Sequence, residues 1–108
     1  MFITNTEEVP GKTITHCYGI VSGSTVRAKH AGRDIMAGLK NLVGGELKGY
    51  TELLSEARDQ AMSRMQEQAQ QIGANAIVNV RFSTSSVAAG ASEIYIYGTA
   101  VTLEETAE

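Results

Sequence analysis

"YTELLSEARDQAMSRMQEQAQQIGANAIVNVRF", residues 50–82, contains a change of period. Leu54, Ala57, Ala61, Met65, Ala69 and Ile72 recur at spacings of three and four, with Glu, Gln, Arg and Asp opposite. That is the apolar stripe of an amphipathic helix. Thr51 offers a hydroxyl N-cap, Glu52 puts an acid near the positive end of the helix dipole, and Gly73 stands where a C′ glycine ends a helix. After Gly73 the period falls to two. Val78, Val80 and Phe82 alternate with Ile77, Asn79 and Arg81, the pattern of a strand with one buried and one mixed face.

Outward from this block the chain continues in β pattern on the C-terminal side. "VAAGAS" (87–92) reads as a hairpin loop, and "EIYIYGTAVTLEE" (93–105) as the closing strand. That strand sets Ile94, Ile96, Gly98 and Ala100 on one face and Tyr95, Tyr97, Thr99 and Val101 on the other. Helices can cover only one face, so Tyr95, Tyr97, Val101 and Leu103 line either a deeper core or a surface covered by another subunit. On the N-terminal side, "GRDIMAGLKNLVGG" (32–45) places Ile35, Met36, Leu39, Leu42 and Val43 at helical spacing before Gly44. "MFITNT" is a short strand ending at the Pro10-Gly11 turn. "TITHCYGIVSGSTVRAK" (13–29) is one long bent strand, or two joined at "SGS". The expected fold is α+β: an antiparallel β-sheet with two α-helices packed on one face, in a single domain over 1–108.

Composition narrows the function. A net charge of −3 with scattered basic residues disfavours nucleic acid, whose phosphates require a basic face. One cysteine cannot form an internal disulfide, and no apolar run approaches the ~20 residues of a membrane span. The N-terminus lacks the basic and apolar regions of a signal peptide. These features point to a cytoplasmic protein.

"THCYGIVSGSTVRAKH" (15–30) holds the only cysteine and both histidines, making His16, Cys17 and His30 the candidate metal ligands. Adjacent side chains on a strand point to opposite faces, which separates His16 from Cys17. Fourteen extended residues between His16 and His30 would span about 46 Å unless the chain reverses near Gly19–Gly23. A closed zinc-type site within one chain is therefore disfavoured, whereas one ligand per chain could converge around a ring axis. No GxSxG, P-loop or nucleophile–base pair is present, so no catalytic residue is assigned. Gly44, Gly45 and Gly49 precede the long helix, whose free N–H groups could meet an anion or small ligand.

Together, "YGIVSG" (18–23), "GRDIMAGLKNLVGG" (32–45), "GYTELLSEARDQAM" (49–62), "GANAIVNVRF" (73–82) and "GTAV" (98–101) resemble the YbjQ-like family of small bacterial and archaeal proteins. That family carries a heavy-metal-binding label. The resemblance implies an α+β subunit that assembles with itself as a ring, a homopentamer, and it implies no established reaction. Its metal label transfers no defined ligand motif, and the chain departs from the family pattern at "HCYGIVSG" (16–23) and "AKHAGRD" (28–34), so His16, Cys17 and His30 are candidates of this chain and not of the family. Asp34, Arg58, Gly45 and Tyr50 are the polar and glycine positions within the pattern, with an Asp34–Arg58 pair across the two helices as their ordinary structural role. The leading expectation is a ring-forming oligomer that binds a metal ion or small ligand at subunit interfaces. An enzyme whose site forms only between subunits, or a purely structural oligomer, are the alternatives.

Overall fold

The computed structural model describes residues 1–27, 48–88 and 91–107. In chain order these form β1 (Phe2–Ile3), β2 (Lys12–Arg27), α1 (Lys48–Gln71), β3 (Ala76–Ala88) and β4 (Ala91–Glu105). The strands make one sheet in the order β1-β3-β4-β2. β4 pairs antiparallel with both β3 and β2. The sheet is mixed, not purely antiparallel, because β1 pairs parallel with β3. The expected helix over 35–43 lies outside the described residues, so a single helix is described.

Local chemistry accounts for the element ends. Val9-Pro10-Gly11-Lys12 is a tight turn in which Lys12 N–H donates to the Val9 carbonyl at 3.0 Å and Gly11 takes φ +79°. Proline presets the second turn position and glycine supplies the positive φ of the third. At the C-terminus of α1, Ala74 N–H donates to Ala69 O and Gly73 N–H to Gln70 O, both at 3.1 Å, around a Gly73 φ of +90°. This pair of bonds is a Schellman cap, in agreement with the reading of Gly73. Thr51 is not the N-cap, since the helix is already running at Lys48, and Gly49 lies within it rather than before it.

α1 runs antiparallel to β2 in a matched register. Four helical residues rise about 6 Å and two strand residues about 6.7 Å, so every fourth helix position meets every second strand position. Ala57 thus lies against Thr25, whose hydroxyl donates to the Ala57 carbonyl at 3.0 Å. Ala61 and Met65 lie over Gly23, where a Cβ would fall 2.0 Å from the Ala61 carbonyl oxygen and 2.7 Å from Met65 N. The core between helix and sheet joins Val21, Ala57, Ala61, Met65, Ala69 and Ala74 to Ile77, Val80, Ile94, Ile96 and Ala100. Small residues on α1 and glycine on β2 let the two backbones approach this closely. Ile72, expected on the same stripe, falls beyond the last helical residue and is exposed.

Three bulges decide which side chains face the helix. In β3, Asn79 takes φ +56° while the pairing shifts between Val78↔Thr99 and Arg81↔Tyr97. Asparagine tolerates the left-handed region better than most residues. The shift corrects the simple alternation expected for β3. Ile77 and Val80 join the helix-side core, whereas Val78 packs on the far face with Ala76 and Val101. Two inward side chains then crowd one opposing position. A Cβ on Gly98 would lie 2.7 Å from Ile77 Cγ2 and 2.9 Å from Val80 Cγ2. β2 has two further shifts, between Ile14 and His16 and between Cys17 and Gly19, so "SGS" is no break and the strand is continuous.

The sheet outruns the helix. Strands of 15 and 16 residues extend about 50 Å, while the 24 residues of α1 cover about 36 Å. The radius of gyration is 17.6 Å, against about 13 Å for a compact chain of this length.

Candidate functional site

Register assigns each candidate on β2 to a face, because directly opposed residues of an antiparallel pair share one. Cys17 lies opposite Val101 and Ile20 opposite Thr99, which puts both on the face away from α1. His16 lies opposite Thr102 on the helix side. There its ring meets Tyr18 edge-on, centroids 4.4 Å apart at 64°. Tyr18 Oη is 2.9 Å from Thr102 Oγ1 and donates to the Gly73 carbonyl at 3.4 Å, tying β2 to the helix cap. The opening stretch of soft side chains is therefore divided between the two sides of the sheet.

The far face has a covered end and an open end. Near the strand termini the N-terminal segment folds over it, with Val9 and Leu103 packed against Ala76, Val78 and Val101. Val101 and Leu103 thus belong to a small second core within the chain. Farther along, Ile20 is 77% exposed and Val26 53%, beside Tyr97 at 37%. Tyr97 stacks on Tyr95 with centroids 5.5 Å apart at 29°. Ser22 and Ser24, opposite those tyrosines, add small polar groups without covering them.

The described donors of one chain do not fit a metal ion. No three of the His, Cys, Asp and Glu side chains gather among the described residues. Cys17 is free and exposed on the far face, and His16 is turned to the other. The carboxylates Glu56, Asp59 and Glu67 lie along the outer surface of α1 with Gln60, Ser63 and Arg64, away from both. His30, Asp34, Gly44 and Gly45 lie outside the described residues, and with them the Asp34–Arg58 pair. Gly49 and Tyr50 lie in the first described turn of α1, and Arg58 is exposed on it. No described helix is long and apolar enough to cross a membrane.

The face left open by the fold was only partly legible beforehand. Tyr95 and Tyr97 stood out on β4, but Ile20 did not, because the Tyr18 bulge between Cys17 and Gly19 resets the alternation of β2.

A family model described as "Putative heavy-metal-binding", YbjQ_1, matches residues 1–104. The chain belongs to the YbjQ-like family. Among its relatives, a UPF0145 protein of Hahella chejuensis is 64% identical over 96% of this chain and 100% of its own length. A UPF0145 protein of Archaeoglobus fulgidus is 55% identical over 95% of each chain. The fold is shared with a solved structure from Pediococcus pentosaceus, a DUF74-family protein of unknown function. The TM-score is 0.63 at 18% identity, over 96% of this chain and 98% of the other. At that identity the likeness speaks for the YbjQ-like fold alone.

Proposed function

We propose that this YbjQ-like chain is the subunit of a cytoplasmic ring, a homopentamer, that holds a metal ion or small ligand where its copies meet. The observation that carries the reading is the open end of the far face, where Ile20, Val26 and the stacked Tyr95–Tyr97 pair stand on the side of the sheet away from α1, the one helix among the described residues. An apolar surface on an extended sheet favours burial against another protein surface, and the described strands outrun α1 in length. Cys17 lies on this same face, so the ring supplies its thiol once per copy, whereas one chain supplies it alone. A soft ion at such a shared position would take thiolates from neighbouring copies, the ligand class that soft metals prefer.

Native mass spectrometry of tag-free protein purified without chelator tests this reading. The expected spectrum is a pentamer carrying excess mass, which is lost after chelation and absent from Cys17→Ser. A pentamer with no excess mass would remove the ligand half of the proposal. A monomer at micromolar concentration would remove both halves.

A further inference from the structure

Among the described residues β2 is the outer strand of the sheet, so one row of its backbone N–H and C=O groups points away from β4. Such an edge pairs readily with strands of other chains, and proteins block it with charge, proline, bulges or covering elements. From Thr13 to Val26 the strand has no Asp, Glu, Lys, Arg or Pro. That is the composition of a segment prone to intermolecular pairing. Its first half is interrupted by the two shifts around Thr15 and Tyr18. The second half, Ile20–Val26, pairs with β4 without interruption.

Two side chains of α1 reach over that second half. Gln68 Oε1 accepts from Ser22 N–H at 2.7 Å, and Arg64 Nη1 donates to the Ser24 carbonyl at 2.5 Å. Arg64 and Gln68 are four residues apart, hence on one stripe of the helix. They meet strand residues two apart by the same four-to-two register that aligns the core. Each supplies the polarity that an incoming strand would supply, an acceptor for the N–H and a donor for the C=O.

We propose that Arg64 and Gln68 form a clasp that closes the β2 edge to strand pairing with a second copy of this chain. The clasp is separate from the far-face reading, since it concerns the rim of the sheet and would be needed by a monomer as much as by a ring. It confines association to surfaces other than this edge.

The test compares full-length wild type with R64M/Q68M, which keeps long side chains over the strand but removes both polar contacts. Sedimentation velocity and thioflavin T fluorescence are followed across a concentration series. Wild type should give one discrete species without dye signal, and the double variant open-ended species with fluorescence raised at least about tenfold, as unpaired edges template further strands. Gln68→Glu, which still accepts from Ser22 N–H, should behave as wild type. A folded R64M/Q68M with the wild-type size distribution would overturn the clasp. Should that variant fail to fold, amide exchange in the wild type decides: Ser22 N–H slowed at least about tenfold relative to a free amide supports the clasp, and exchange at the free rate overturns it.

Discussion

Replacing Gly23 by alanine is expected to cost at least about 3 kcal/mol of folding free energy, near the upper end of overpacking effects. The new methyl carbon would lie 2.0 Å from the Ala61 carbonyl oxygen and 2.7 Å from Met65 N, and both obstacles are helix backbone. No rotamer change relieves such a collision, so α1 must lift away from β2. Lifting it loosens Ala57, Ala61, Met65 and Ala69 together, all fully buried, and lengthens the Thr25–Ala57 hydrogen bond. For a domain whose stability is about 5–15 kcal/mol, this is a large fraction. Gly19→Ala is the informative comparison. Its Cβ would meet nothing within 4 Å, but its φ of +102° disfavours any L side chain, and such strain costs about 1–3 kcal/mol. Urea denaturation of the two variants should therefore rank Gly23→Ala as the more damaging. Equal midpoints would mean that helix and strand are less closely apposed than described.

Ile20→Lys should have the opposite signature, a small effect on the fold and a large one on assembly. Ile20 is 77% exposed in the single chain, and substitutions at such positions usually change stability by about 0.5 kcal/mol or less. If a second copy covers the far face, the lysine must be buried against it, and central interface residues contribute about 2 kcal/mol or more. That corresponds to about a 30-fold weaker association. Sedimentation equilibrium should show dissociation of the variant at concentrations where the wild type remains assembled. Ile72→Lys, also exposed but at the far end of α1, should leave the mass unchanged. If Ile20→Lys and wild type have the same mass at all concentrations, the far face is not the interface.

Much of this architecture could be read from residue patterns alone. The helix stripe from Leu54 to Ala69 and its glycine stop are local signals, and local signals survive in a sequence. The two faces of β4 were also legible, since no bulge interrupts its inward series Ile94, Ile96, Gly98 and Ala100. β2 and β3 were harder, because a bulge shifts every later side chain to the other face. Asn79 within "VNV" was the one available sign in β3, a turn-former in a β-branched run. In β2 the sign was Gly19, whose φ of +102° accompanies the bulge at Tyr18, but a glycine marks a bulge without saying to which face the later side chains turn, so Ile20 was hidden. The mixed pairing of β1 depends on where the N-terminus returns, a long-range fact with no local pattern. The clasp was equally invisible, because Arg64 and Gln68 look like solvated helix residues until the helix is set over the rim of β2. The donor candidates were limited by spacing in the same way: His16 and Cys17 divide between faces, as neighbours on a strand do, and only an assembly could multiply either one.

The most direct measurement of the central claim is the reactivity of a thiol placed at the centre of the open face. Ile20→Cys on a Cys17→Ser background, labelled with a maleimide in the assembled protein, would be compared with Ser55→Cys on the exposed side of α1. If another copy covers the far face, Ile20→Cys should react at least about tenfold more slowly than Ser55→Cys, since every tenfold of protection reflects about 1.4 kcal/mol of interface opening. Reaction at the rate of the Ser55→Cys control would show the face open to solvent and contradict the assembly proposed for it.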